Sequence, residues 1–156
     1  MTDDVLARET IIVSIDRSIF GLDEDRGAEE QDRPYWVDLP MDSEPVRVGL
    51  GIVRVMSKVG SHEAPVTIEV RRGPHTGAAP DYELLGEWPY LTASGKVGLY
   101  NIDGPLFEFE LEPARQYTLR VWRKGGETAS QKYDELMGNV YPIEGLEEYI
   151  IQFWTD

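Results

Sequence analysis

The chain has 156 residues, 41% of them hydrophobic, with 29 Asp and Glu against 15 Lys and Arg, a formal net charge of −14, and no cysteine. A chain of that length and apolar content can bury a core without staples and is not a disordered tail, while disulfides and thiolate metal sites are excluded outright. The negative field disfavours nucleic acid and anionic membrane as partners and speeds encounter with a basic protein.

Met1-Thr2-Asp3-Asp4 is acidic and no apolar stretch follows it, which speaks against a signal peptide, and no run approaches the ~18 apolar residues of a membrane span. The expectation is a soluble, cytoplasmic protein. The first strand is predicted over Thr10–Asp16. Between Gly21 and Pro45 come nine carboxylates, Asp23, Glu24, Asp25, Glu29, Glu30, Asp32, Asp38, Asp42 and Glu44, against Arg26 and Arg33. Nine less two leaves seven of the 14 excess negatives there. This stretch is too polar to pack until Tyr35-Trp36-Val37 and reads as an acidic loop, either a solvated linker or a partner-binding segment.

Further strands are predicted over Val46–Met56, Val66–Arg71, Tyr82–Leu91, Lys96–Ile102, Leu106–Glu112, Gln116–Arg123 and Glu148–Trp154, eight in all, split by Gly and Pro turns. That pattern indicates one all-β domain, an antiparallel, jelly-roll-like β-sandwich. In Leu106–Glu112, Phe107 and Phe109 share one face with Leu111, and Glu108, Glu110 and Glu112 share the other. A hairpin through Pro113-Ala114-Arg115 is predicted to set Phe109 against Leu119, Phe107 against Val121 and Glu108 against Arg120. A second hairpin is predicted at Thr92-Ala93-Ser94-Gly95, where Gly95 supplies permissive backbone. The long connection from Gly125 to Gly145 holds one short helix near residues 130–137, closed by Gly138 or Asn139. Connections of this length are often functional.

No residue set carries recognisable catalytic chemistry. The Glu108/Glu110/Glu112 row has a spacing near that of an inverting glycosidase pair, but one flat strand lacks the cleft that would separate the two pKa values, so it reads as a solvated face. His62 and His75 fall in loops without a metal motif or a nucleophile elbow. Ser94-Gly95-Lys96 is not a P-loop, since Val97 follows the lysine. Asp23-Glu24-Asp25 lacks the oxygen-ligand spacing of a calcium loop. No metal or other cofactor is indicated, and the basic spots at Arg71-Arg72 and Arg120-Arg123-Lys124 are too small to make a nucleic-acid site. Tyr35, Trp36, Trp88, Tyr90 and Trp122 are the aromatics considered for a contact surface, with Trp122 on the outer face beside Arg120.

From about Val46 onward the chain resembles a family of small bacterial β-sandwich proteins that includes competence protein J, a nuclease inhibitor. The likeness is carried by Val66-Thr67-Ile68-Glu69-Val70, by Leu91 with Ser94-Gly95-Lys96-Val97, by Glu112-Pro113-Ala114-Arg115-Gln116-Tyr117-Thr118-Leu119-Arg120-Val121, and by Glu148-Tyr149-Ile150-Ile151-Gln152-Phe153-Trp154. The resemblance implies an all-β, non-enzymatic fold, with nuclease inhibition in one branch. The leading reading is therefore an inhibitor or immunity protein that neutralises a basic nuclease or toxin. Its partner-binding residues would be Asp23, Glu24, Asp25, Glu29, Glu30, Asp32, Tyr35, Trp36 and Trp122. The rivals are a ligand- or carbohydrate-binding sandwich with Trp88, Tyr90 and Trp122 as an aromatic platform, and a jelly-roll hydrolase. Homo-oligomerisation is not readable from the sequence.

Overall fold

The computed structural model describes residues 5–25, 39–40, 42–73 and 81–155. It places in them β1 (Val5–Ile15), β2 (Ile19–Glu24), β3 (Val46–Gly49), β4 (Ile52–Met56), β5 (His62–Arg72), β6 (Glu83–Thr92), β7 (Lys96–Asn101), β8 (Gly104–Glu110), β9 (Arg115–Lys124), helix α1 (Ala129–Leu136) and β10 (Glu148–Thr155). One sheet runs β1-β5-β10-β9-β6 and the other β3-β4-β2-β7-β8. All neighbours are antiparallel except β5 and β10, which are parallel. Alternating residues of both sheets meet in one core, among them Val13, Phe20, Leu22, Val53, Val66, Leu99, Leu119, Ile151 and Phe153. Among the described residues no helix is long and apolar enough to cross a membrane.

The all-β architecture is as expected, but with ten strands among the described residues in place of eight. Val46–Met56 is a hairpin of β3 and β4, turned at Leu50-Gly51 with Gly51 at φ +70°. The strand missing from the sequence reading is β2. It follows β1 through Arg17 and Ser18, both at positive φ (55° and 67°), a conformation that non-glycine residues seldom adopt and that announces no turn in sequence. The predicted helix is present as α1, and Gly138 at φ +87° follows its end.

Both predicted hairpins are corrected. β8 and β9 lie in different sheets, as do β6 and β7, so their connections cross from one sheet to the other. Phe109 meets Phe153 across the core at 5.7 Å between ring centroids, and Tyr117 meets the same ring at 6.4 Å. Glu108 pairs in register with Gly98, while Arg120 is bound to Glu87 at 2.7 Å. Two strands that face each other across a sandwich alternate in the same way as two that pair, so periodicity alone does not tell these cases apart.

Two buried carboxylates pin sheet-to-sheet crossings at opposite ends of the sandwich, β6–β7 at one end and β4–β5 at the other. At one end Glu24, the last residue of β2, accepts at Oε1 from Thr92 Oγ1 (2.9 Å), Ala93 N (2.8 Å) and Ser94 N (3.2 Å). At the other end Glu147 precedes β10 and accepts from Ser57 Oγ, Tyr149 Oη (2.8 Å) and Lys58 N (3.1 Å). Burial alone would raise the Glu147 pKa, but hydrogen bonds from His62, Ser57, Tyr149 and the Lys58 amide outweigh it and hold the carboxyl below its ordinary 4.5. Burial likewise opposes ionisation of Glu69, and bonds from Arg71, Arg8 and Gln152 prevail. Burial and Glu147 together push the Tyr149 phenol far upward.

Glu147 and Glu69 have folded pKa values lower than the unfolded ones. Their stabilisation is therefore complete above the ordinary value of 4.5 and is lost as pH falls through the folded values. Urea unfolding followed from pH 7 to pH 3 is expected to show stability falling below about pH 4.5. Glu147→Gln is expected to cost about 2–3 kcal/mol at pH 7, as a buried network loses its charge and one of two accepting oxygens becomes a donor, and to flatten that acid limb.

Candidate protein-binding surface

The sequence-predicted binding residues do not form one surface. Glu24 is 5% exposed and holds the 92–94 crossing, so it is corrected from a steering charge to a structural one. A Cβ at Gly51 would stand 2.0 Å from its carboxylate oxygen, which is why glycine occupies that turn. Asp23 lies within β2 rather than in a loop, and Asp25 follows it, bonding through its amide to the Lys96 carbonyl at 2.8 Å. Glu29, Glu30, Asp32, Tyr35, Trp36 and His75 lie outside the described residues. Beyond that stretch the acidic segment packs rather than floats: Leu39 is buried, and the wholly buried Arg54 donates to the Pro40 carbonyl (2.6 Å) and to Asp42 (3.3 Å).

Trp122 is also corrected. It is only 6% exposed, and its indole N–H donates to Gln152 Oε1 at 2.8 Å, while Gln152 Nε2 donates to Glu69 at 3.0 Å. Tyr90 sits in the core with its hydroxyl on the Gly51 carbonyl, and Trp88 is half-buried over Gly86. Trp88, Tyr90 and Trp122 thus do not present the flat exposed platform that a carbohydrate-binding reading requires. Glu108 and Glu110 are exposed on β8, as a solvated face should be.

His62 is not in an exposed loop. It opens β5 with its side chain wholly buried, Nε2 lying 2.8 Å from Ser57 Oγ and 3.4 Å from Glu147 Oε1. Ser, His and Glu meet here, but the connectivity is not that of a catalytic triad, in which the acid orients the ring nitrogen remote from the hydroxyl. Here Glu147 and Ser57 share one side of the ring, and Nδ1 has no hydrogen-bond partner among the described residues. Among the described residues no group of three or more His, Asp or Glu could hold a metal ion.

Beside this network a groove of about 880 Å³ opens at the same end of the sandwich, between the β1–β2 turn, the start of β5 and the segment after α1. Asp16, His62, Glu63 and Asp103 line it, and among the described residues no Lys or Arg does. Asp16 Oδ1 accepts from Ser61 Oγ (2.9 Å) and the Arg17 amide (3.0 Å), and neither Glu63 nor Asp103 has an ion-pair partner among the described residues. The opposite wall carries Met137, Val140 and Tyr141, and Tyr141 is 97% exposed. That wall is fixed from beneath: α1 packs Ala129, Tyr133 and Leu136 on Val59, Ile143 and Leu146, and Glu63 N donates to the Ile143 carbonyl at 2.8 Å. Exposed apolar side chains in one groove with carboxylates that lack an ion-pair partner can seat an amphipathic, cationic surface. Sequence reasoning singled out the 125–145 connection but missed Asp16, Asp103 and Tyr141. The available signal was an aromatic, Tyr141, stranded next to Pro142 in a polar connection.

The fold and the groove define a two-sheet β-sandwich with an acidic, aromatic-rimmed end. No protein-family model and no curated protein sequence matches the chain. Two solved structures are similar in fold. One is ComJ of Bacillus subtilis, an inhibitor of the DNA-degrading activity of NucA, at TM-score 0.62 and 14% identity over 97% of either chain. The other, described as crocagin biosynthetic gene J, matches at TM-score 0.54 and 19% identity over 97% of this chain and 99% of its own. The likeness thus reaches well beyond residues 46–156, where the sequence resemblance is carried.

If Glu24 is structural, Glu24→Ala should act on stability. Chemical denaturation should show a loss of about 2 kcal/mol, because several buried or half-buried donors lose their common acceptor. An unchanged midpoint would return Glu24 to the surface charges.

Proposed function

We propose that this protein is a non-enzymatic inhibitor of the immunity type, and that it captures a basic protein, a nuclease or a toxin, with the groove end of its sandwich. The observation that carries this reading is the groove itself, where Asp16, Glu63 and Asp103 share the lining with the exposed Tyr141 and, among the described residues, no Lys or Arg joins them. The fold shared with ComJ, a nuclease inhibitor, supports it. So does the net charge of −14, which matches the potential of a nucleic-acid substrate in sign. A nuclease keeps a cationic cleft for its polyanionic substrate, and an acidic surface that seats there excludes DNA by occupancy alone. Asp23 and Asp25 would act at longer range, raising the encounter rate without belonging to the contact, since β2 runs away from the groove, from Ile19 to Glu24, and the carboxylates at 29, 30 and 32 add to the negative field.

The experiment is inhibition of DNA cleavage by a panel of basic nucleases, NucA among them, with association kinetics measured against ionic strength. Stoichiometric inhibition of at least one nuclease is expected, with an on-rate that falls as salt is raised. Tyr141→Ala should weaken the complex about ten-fold or more, the loss typical of an aromatic anchor, while altering stability by no more than about 0.5 kcal/mol, as for an exposed site. Binding indifferent both to salt and to Tyr141→Ala would contradict the proposal.

A further inference from the structure

An open β-sheet ends in strands that leave a row of backbone N–H and C=O groups without a ladder, and folded proteins blunt such edges with prolines, bulges, charges or shortness. Among the described residues the sandwich has four edge strands, β1 and β6 in one sheet and β3 and β8 in the other. Three of them carry such devices. β3 has only four residues. β6 holds Pro89, a register shift between Leu84 and Gly86, and the exposed Glu83 and Glu87. β8 holds Pro105 and the exposed Glu108 and Glu110, with a register shift against β7. β1 is different. It has eleven residues without Pro or Gly, and Thr10-Ile11-Ile12-Val13 is a run of β-branched side chains. Of its two charges, Arg8 turns to β5, where Nε and Nη2 meet Glu69 Oε2 at 2.9 and 2.8 Å. Ile12 is 58% exposed, and Arg8, Glu9 and Thr10 are exposed as well.

The regular part of that edge has definite limits. A bulge between Val5 and Ala7 breaks the register at one end. At the other end Asn101 Nδ2 donates to the Ser14 carbonyl at 3.0 Å and ties the strand to the opposite sheet. Ala7–Val13 remains, with Thr10 at its centre. A two-fold axis perpendicular to the sheet pairs such an edge with a copy of itself, antiparallel and with every side chain kept on its own face. Centred on Thr10, the axis uses the whole run. Ile12 then lies under the aliphatic stem of Arg8 from the second copy, Glu9 lies opposite Ile11, and no like charges meet. The same register extends a hydroxyl ladder, because Thr10 Oγ1 and Thr67 Oγ1 are already 2.8 Å apart. Centring on Glu9 would oppose two carboxylates, and centring on Arg8 two guanidinium groups. Centring on Ile11 would need Ser14 and Ile15, where the edge is closed.

We infer that β1 pairs antiparallel with β1 of a second copy of this chain about a two-fold axis at Thr10, joining two five-stranded sheets into one of ten strands. The inference is independent of the groove and its partner. One strand pairing is small against the ~1,200 Å² of a stable interface, so the dimer is weak, with a dissociation constant of about 10⁻⁵–10⁻³ M. Each chain carries −14, so salt tightens the dimer by screening the repulsion, the reverse of its effect on capture of a basic protein.

Sedimentation equilibrium from about 10 μM to about 1 mM, at low and at high salt, tests the inference over that range. The expected mass climbs with concentration from 17.7 kDa toward twice that value, and climbs more steeply at high salt. Ile12→Lys sets an ammonium against Arg8 at both symmetric contacts and should weaken the dimer about ten-fold or more, whereas Ile12→Glu sets a carboxylate there and should dimerise clearly better than Ile12→Lys. Both variants should keep the monomer's urea midpoint, as substitutions at an exposed site do. Because the chain has no cysteine, oxidised Thr10→Cys should give a disulfide-linked dimer, its two Cα atoms lying about 4.5–5.5 Å apart. Glu9→Cys should not, since two strand steps of offset set its Cα atoms about 8 Å apart, beyond disulfide reach. A monomer throughout the range, equal weakening by Ile12→Lys and Ile12→Glu, or cross-linking of Glu9→Cys as fast as Thr10→Cys would each overturn the inference. So would protection of residues 7–13 from hydrogen exchange only in a nuclease complex, which would give the edge to a strand of that partner. Nuclease inhibition does not enter the mass or cross-linking measurements, so the dimer and the inhibitor reading can each fail alone.

Discussion

The buried Glu147 carboxylate is the constraint on which one end of the molecule depends. Three separate pieces of chain converge on it: the β4–β5 crossing through Ser57 and Lys58, the start of β5 through His62, and β10 through Tyr149. A charge in that position is tolerated only because donors surround it, and removing one partner leaves the others stranded in a dry site. The network therefore sets where the crossing at 57–61 lies against the start of β10. The groove wall inherits that precision, since Val59 and Leu146 on either side of the network form the floor on which α1 and Ile143 pack. Glu24 performs the equivalent task at the far end, so both ends of the sandwich are tied by acids that composition alone counts as surface charge.

This explains how far the sequence could be read. Alternation assigned the inward residues of β8 and β9 correctly, Phe107 and Phe109 in one and Leu119 and Val121 in the other. It could not say whether those strands pair or face each other, and the choice of hairpins failed there. β2 escaped because its turn is made by Arg17 and Ser18 rather than by glycine, and because its apolar part ends in Asp23 and Glu24. Three of the buried polar residues, Glu24, Glu147 and His62, did leave a trace. Glu24 continues the phase of Phe20 and Leu22, Glu147 that of Tyr149, Ile151 and Phe153, and His62 that of Ala64, Val66 and Ile68. Each extends a core-facing alternation one step beyond its last apolar residue, where a buried polar group can still reach loop amides and hydroxyls. The groove had no such trace, because Asp16, Asp103 and Tyr141 come from separate connections that only the folded topology brings to one end.

The acidic character of the chain divides into parts with different physical roles. Glu24, Glu69 and Glu147 are inside and structural. Glu87 and Glu83 answer Arg120 and Arg123 across β6 and β9. Asp16, Glu63 and Asp103 stand at the groove without a counter-ion of their own among the described residues. Among the described residues, this last group combines a fixed position with uncompensated charge and an exposed aromatic, Tyr141, in the same groove. It is the surface to which a basic partner could bind with a defined geometry rather than through diffuse attraction, and the proposed inhibitory function is built on that distinction.

The central claim, that the groove end is the docking surface, is tested most directly by hydrogen–deuterium exchange of the protein alone and in complex with an inhibited basic nuclease. The account predicts protection concentrated in residues 14–16, 61–63, 101–103 and 137–143, with β6 at 83–92 unaffected. Protection confined to β6 or to the outer face of β8, with the groove segments exchanging as in the free protein, would contradict it.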